Sequence, residues 1–301
     1  MAMQFGNSSN PVFRSGAMPD QFNADKRRRF YMDSNAGTVR EETQQTYAQQ
    51  HGVPGPDQLQ QQYNMPAHAG LEGTPMTYDD VIRKTVTSFA VVLLGAGAAV
   101  TLATMMPGVV MGLAIVAVLA GLVLGLVNAF KREPNPGLIL AYSATQGFFL
   151  GAITWVLELQ FPGIAFQAVA ATLIVFGCVL VAFKSGKIRA TPKLNKMFMI
   201  ALGAYLIFAL FNFGLMLFGG TSSMFGLRTE FSPWIGIAIG AFAILLATYS
   251  LVLDFTNIDE GVKAGVEQKF GWAAAFGLTV SLVWLYIEIL RIIAIVRSMA
   301  D

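Results

Sequence analysis

Seven runs of apolar residues follow one another through the chain, at 83–106, 109–130, 138–158, 163–183, 197–218, 234–254 and 271–296. A helix rises about 1.5 Å per residue, so a run of about twenty crosses the hydrocarbon core of a bilayer. Inside lipid the backbone has no water to bond, and a chain of such runs has one stable solution, a bundle of helices. The breaks are marked by Pro107-Gly108, Pro134-Asn135-Pro136-Gly137, Phe161-Pro162-Gly163, Thr191-Pro192 and Ser232-Pro233, residues that stop or start helices. The fold class expected is therefore an all-α membrane protein with seven transmembrane helices. With 54% hydrophobic and 13% charged residues, the composition lies outside that of soluble domains.

The polar start of the chain is of another kind. It holds Asn7-Ser8-Ser9-Asn10-Pro11, the basic cluster Lys26-Arg27-Arg28-Arg29 and the Gln-rich stretch Gln58-Leu59-Gln60-Gln61-Gln62. Too little apolar surface is available there to offset chain entropy. Residues 1–76 are expected to be a disordered polar cytoplasmic tail, and residues 77–301 the seven-helix transmembrane domain. Order is expected to begin at Thr77, which can cap a helix whose first turn carries Asp79 and Asp80, where the helix dipole favours negative charge.

Basic residues set the orientation. One side receives Arg83, Lys84, Lys131, Arg132, Lys184, Lys187, Arg189, Lys193, Lys196, Lys263 and Lys269; the other receives Arg228, Arg291 and Arg297. The expected N-terminus is cytoplasmic and the C-terminus external. A net charge of +2 gives no reason to expect nucleic acid as a partner; the bilayer is the expected one. Pairs of small residues four apart, Gly121/Gly125, Gly147/Gly151 and Gly236/Gly240, suit close helix packing within one chain.

Polar residues inside the membrane are costly and carry functional weight by default. Here they are Asn128, Gln146, Glu158, Asp254, Glu288 and Arg291. Ala274, Gly277, Ser281, Glu288 and Arg291 fall on one face of the last helix, because their spacing follows its turn. Such a small, polar stripe belongs to a helix surrounded by others or lining a cavity. Glu288 and Arg291 can also simply pair with each other. Asp254 ends the sixth run between Leu253 and Phe255, a setting that disfavours the charged carboxylate. No Gly-x-Ser-x-Gly, Gly-Lys-Ser/Thr or His-Glu-x-x-His pattern is present, so no catalytic residue is assigned and an enzyme is not expected. The two histidines, His51 and His68, both precede the first span, and Cys178 is the one cysteine. No metal site and no cofactor are expected.

The stretches Met76-Thr77-Tyr78-Asp79-Asp80-Val81, Asn128-Ala129-Phe130-Lys131-Arg132-Glu133-Pro134, Gly147-Phe148-Phe149-Leu150-Gly151 and Ala273-Ala274-Ala275-Phe276-Gly277-Leu278 resemble the Bax inhibitor-1/YccA family, the transmembrane Bax inhibitor motif proteins. The similarity covers roughly 76–297. It resembles a bacterial branch with a long N-terminal tail that begins near Ser9-Asn10-Pro11-Val12-Phe13. The resemblance implies that the last of seven helices is central and wrapped by two three-helix groups, in a bacterial inner (plasma) membrane. It also implies a pH-sensitive leak of calcium or other cations, governed by two aspartates on the sixth and seventh helices. Leu253-Asp254-Phe255-Thr256 takes the place of the family's Tyr-Asp-Thr-Gln-like motif, so Asp254 carries over as the first.

The second position falls on Ser281 when Trp284-Leu285-Tyr286-Ile287-Glu288-Ile289-Leu290-Arg291 is matched to the family's Asn-Leu-Phe-x-x-Leu-Leu-Arg-like ending. It falls on Glu288 when Leu285-Tyr286-Ile287-Glu288 is matched to a Leu-Tyr-Leu-Asp stretch, at the cost of an insertion. The first register leaves the aspartate pair incomplete. The basic residue that some members carry on the second helix is missing, for 109–130 holds no charge. The expected gating and ion-pathway residues are thus Asp254, Ser281 and Glu288. The alternative, also found in the family, is a regulatory membrane protein that conducts nothing and binds a membrane protease or another membrane complex. The topology is testable with reporter fusions after residues 70, 187 and 301: the first two are expected inside and the third outside, and both ends on one side would sink the seven-span reading.

Overall fold

The computed structural model describes residues 74–300 apart from 222 and 224; the tail expected over 1–76 falls outside the described residues up to 73. Seven long helices follow: α1 (Tyr78–Met105), α2 (Pro107–Phe130), α3 (Pro136–Gln160), α4 (Ile164–Lys184), α5 (Pro192–Leu217), α6 (Pro233–Lys263) and α7 (Gly271–Ser298). All seven are long and apolar enough to cross a membrane. A single helical turn, Leu227–Glu230, stands between α5 and α6, and a 3₁₀ turn, Gln268–Phe270, leads into α7.

The helix starts follow from capping chemistry. Thr77 Oγ1 accepts the Asp80 N–H at 3.2 Å, with Asp79 and Asp80 in the first turn. Asn135 Oδ1 accepts from Gly137 N at 2.9 Å, and Thr191 Oγ1 from Leu194 N at 3.4 Å. Proline opens α2, α3, α5 and α6, where its missing N–H costs nothing. For α4 the cap comes from another helix. The Glu158 carboxylate accepts from Gly163 N at 2.6 Å and Ala165 N at 2.9 Å, satisfying backbone donors that would otherwise be left open. Gly163 has φ +83°, a turn a glycine makes at no steric cost.

The expected end of the sixth helix at residue 254 is corrected. Helix α6 continues through Asp254 to Lys263. Nothing after Asp254 breaks a helix, and Phe255 and Ile258 extend its buried face. At 1.5 Å per residue, Asp254 lies about 14 Å inside the end of α6, well into the bundle.

Helix α7 packs against α1, α3, α4 and α6, and over half of its most apolar eighteen-residue stretch is buried, a larger share than in any other long helix. Helices α1 and α3 also pack closely. A Cβ on Gly151 would stand 2.6 Å from Ala96 Cα, and one on Gly95 would stand 2.6 Å from the Ala144 carbonyl oxygen. Of the small-residue pairs, Gly147/Gly151 meets the backbone of a neighbouring long helix, and a Cβ on Gly236 would stand 3.2 Å from the Arg228 carbonyl oxygen. Gly121/Gly125 faces the side chains of Gln146 and Tyr142, and Gly240 faces Ile292. Large apolar residues cover the outside: Leu93, Leu94, Val116, Val123, Leu173, Ile174, Ile207 and Phe211 are all exposed. In water such a continuous apolar coat would aggregate; in hydrocarbon it is the required surface.

At one end, which bears Lys84, Arg189 and Lys263, the chain before α1 is strapped to the α6–α7 turn. Pro75 and Glu267 form an antiparallel bridge, Met76 N donates to Val266 O at 2.7 Å and Gln268 N to Thr74 O at 2.9 Å. Lys84 Nζ reaches Asp80 at 2.6 Å and the Gln268 carbonyl at 2.5 Å. Met76 is buried beside Gly261.

Close backbone contact between α1 and α3 leads to a paired prediction. Gly151→Ala is expected to lose roughly 1–3 kcal/mol through overpacking. Gly177→Ala, where a Cβ meets nothing within 4 Å, is expected to be neutral or stabilising by up to about 1 kcal/mol. Thermal melting of the two variants in detergent checks the contrast, and equal melting temperatures would count against it.

Candidate functional site

Two carboxylates stand inside the bundle on adjoining helices, and their surroundings are opposite. Glu288 on α7 is 1% exposed. Its Oε2 accepts from Arg228 Nη1 at 2.9 Å and its Oε1 from Arg291 Nη1 at 2.6 Å, while the Tyr205 hydroxyl donates to Oε1. Arg228 Nη2 also donates to the Tyr205 hydroxyl, at 2.5 Å. Both carboxylate oxygens are therefore taken. Arg291 is one turn away on the same helix, so its approach is dictated by helical spacing.

Arg228 arrives from elsewhere. It lies on the turn Leu227–Glu230 and is 2% exposed. That turn is held by α5: Asn212 Oδ1 accepts from Leu227 N at 2.7 Å. Gly226, with φ +66°, brings its backbone close against the Asn212 side chain, a conformation and a clearance that suit glycine alone. The Arg228 guanidinium sits 5.4 Å from the Tyr205 ring centre and 5.6 Å from that of Phe208, a favourable placement of a cation over aromatic faces. One anion between two guanidinium cations leaves the cluster with a formal charge of +1.

Asp254 on α6 has a different company. Its Oδ2 accepts from the Ser281 hydroxyl at 2.5 Å, and Ser281 and Ser250 share a hydroxyl contact of 2.8 Å. A Cβ on Gly277 would stand 2.7 Å from Asp254 Oδ1, so the carboxyl nests on the space that glycine leaves. Among the described residues no lysine, arginine or histidine pairs with Asp254. Ser281 and Glu288 lie about 10 Å apart along α7, and Trp284 fills the interval, its ring 5.4 Å from that of Tyr205.

Of the residues singled out in the sequence, the structure brings Asp254 to Ser281 and Gly277, and Glu288 to Arg291. It does not bring Asp254 to Glu288. Glu158 serves as the α4 cap described above. Asn128 donates to the carbonyls of Leu124 at 2.9 Å and Leu138 at 3.2 Å, tying α2 to α3. Tyr205, Ser250 and Arg228 were not singled out in sequence as site residues. Arg228 reads there as a loop cation, and only the Gly226-Leu227-Arg228 sequence after a long apolar helix hints at a turn folded inward. No group of three or more His, Cys, Asp or Glu side chains capable of holding a metal ion occurs among the described residues.

A family model described as Bax inhibitor 1 like matches residues 10–298 of the chain. No curated protein matches it.

The buried ion cluster generates an unequal pair of effects. Glu288→Ala leaves two arginines facing each other without their anion and is expected to cost about 3–5 kcal/mol, as for a buried pair deprived of one partner. Arg228→Ala leaves Glu288 still neutralised by Arg291 and is expected to cost less, about 1.5–3 kcal/mol. Detergent melting curves of the two variants test this order; a greater loss for Arg228→Ala would contradict the assignment of Glu288 as the shared partner.

Proposed function

The chain belongs to the Bax inhibitor 1 like family, and from that premise we propose that it is a pH-modulated leak pathway for calcium or other cations, with Asp254 as its gate carboxylate. The observation that carries this reading is the setting of Asp254: a carboxyl well inside the bundle, hydrogen-bonded by Ser281 at 2.5 Å and without a cationic partner among the described residues. Ionised, it offers a hard cation its own oxygens beside the hydroxyls of Ser250 and Ser281, the ligand type that calcium selects. Protonated, it offers no charge. The groups that meet it are Ser281 and Gly277 from α7, with Ser250 on its own helix one turn back.

Beyond Asp254 the path toward the opposite end is shut by Trp284 and then by the positively charged Arg228–Glu288–Arg291 cluster. A cation passes only when Arg228 withdraws, since a guanidinium repels it and occupies the Glu288 oxygen that would receive it. Glu288 thus acts by holding Arg228. The membrane is the bacterial inner membrane in this reading. The end bearing Lys84, Arg189 and Lys263 faces the cytoplasm, supported by the unequal division of basic residues.

Full-length protein in liposomes, with a calcium indicator inside and a pH series outside, tests the proposal. Wild-type flux is expected to rise as pH rises, because ionisation of Asp254 creates the site. Asp254→Asn keeps the shape and removes the titration, so its flux is expected to be low and flat with pH. Arg228→Gln is expected to raise flux several-fold while keeping the pH response. No flux from folded wild-type protein beside a working control channel would end the leak reading. It would favour a non-conducting regulatory protein that binds a membrane protease or another membrane complex.

A further inference from the structure

Where α2 ends and α3 begins, a small open cavity of about 50 Å³ is lined by Asn128, Lys131, Arg132, Phe270 and Phe276, among others. One water needs about 10–15 Å³ of such space, so the cavity admits a group of a few heavy atoms, the size of a phosphate. Its polar chemistry is one-sided. Lys131 and Arg132 are exposed, and among the described residues neither forms an ion pair or side-chain hydrogen bond. The nearest acid in sequence, Glu133, is engaged by Lys269 at 3.3 Å. The Asn128 amide nitrogen is committed to the Leu124 and Leu138 carbonyls, so it shapes the wall. Two neighbouring cations left open over a cavity call for an anion, and a guanidinium matches a phosphate with paired hydrogen bonds.

What adjoins the cavity identifies the anion further. Helix α2 is uncharged over its whole length and ends at Phe130, which is 83% exposed, with Val123, Leu126 and Val127 also exposed. Lys131 and Arg132 follow directly on this apolar surface, which puts them at the depth of the lipid headgroups. A free phosphate uses the cations alone. A phospholipid uses the cations, the cavity and the apolar flank together. We propose that this groove is a binding site for an anionic phospholipid, its phosphate in the cavity between Lys131 and Arg132 and its acyl chains along α2.

The test uses the full-length chain in an uncharged detergent, with short-chain phosphatidylglycerol, short-chain phosphatidylcholine and inorganic phosphate as separate probes, and thermal melting as the readout. Phosphatidylglycerol is expected to raise the melting temperature saturably, and the other two probes to have little effect. Lys131→Gln with Arg132→Gln is expected to weaken that response at least tenfold, whereas Lys193→Gln with Lys196→Gln, away from the groove, leaves it unchanged. Ala273→Leu keeps both cations and fills the cavity that Ala273 helps to line; it is expected to abolish the response. Inorganic phosphate acting as strongly as the lipid would make this a free-anion site and overturn the proposal. So would a phosphatidylglycerol response that survives Ala273→Leu, which would make it general attraction to surface charge.

Discussion

Within hydrocarbon a polar atom has no water to turn to, and whatever bonds it makes must be made inside the protein. The bundle meets this requirement at several scales. Hydroxyls of Ser143, Thr172 and Thr279 donate back to carbonyls four residues earlier in their own helices. Glu158 lends its carboxylate to the open start of α4. Glu288 is the extreme case: it joins α7 to Tyr205 of α5 and to Arg228 of the intervening turn. Ser143, Thr172, Thr279 and Glu288 are buried and could not be left alone without a cost of several kcal/mol, and the bonds of Glu288 fix how α7 meets α5 and the intervening turn.

Against that rule Asp254 stands out. Glu288 is held by three donors and has no oxygen to spare. Asp254, about the same distance from the middle of α7 on the other side, has Ser281 as its donor and glycine beneath it. In the first arrangement the carboxylate is answered twice over by arginines; in the second the carboxyl has a hydroxyl donor and, among the described residues, no cation. Trp284 keeps the two apart, packed between the larger apolar cluster around Leu251 and Leu285 and the one around Tyr205 and Leu246.

Much of the fold was legible in the sequence because it depends on local rules. Run length, proline and capping residues located all seven long helices, and Thr77 with Asp79 and Asp80 marked where α1 begins. The Gly147/Gly151 spacing pointed to close backbone packing, which the structure places against α1. The other two glycine pairs show the limit of that signal, for the same spacing there meets side chains and, at Gly236, the carbonyl of the short turn at Arg228 rather than the backbone of another long helix. The end of α6 was misplaced because Asp254 resembles a terminal charge when its partners are unknown. Arg228 was the largest omission among the candidate-site residues. Its burial depends on Asn212, Tyr205 and Glu288, which lie 16, 23 and 60 positions away (228 less 212, 228 less 205 and 288 less 228). No local pattern records contacts of that range.

The strap at the Lys84 end carries a mechanical consequence. Thr74 and Met76 are bonded to Gln268 and Val266, and Met76 is seated beside Gly261. The chain therefore touches the hairpin between its last two helices before it enters its first. Tension on the segment leading to Thr74 loads those few hydrogen bonds side by side with the α1 cap, and the hairpin that carries Asp254 on one arm and Ser281 on the other receives it directly. A tug at this end is thus felt by the two helices that form the carboxyl site before it reaches α2, α3, α4 or α5.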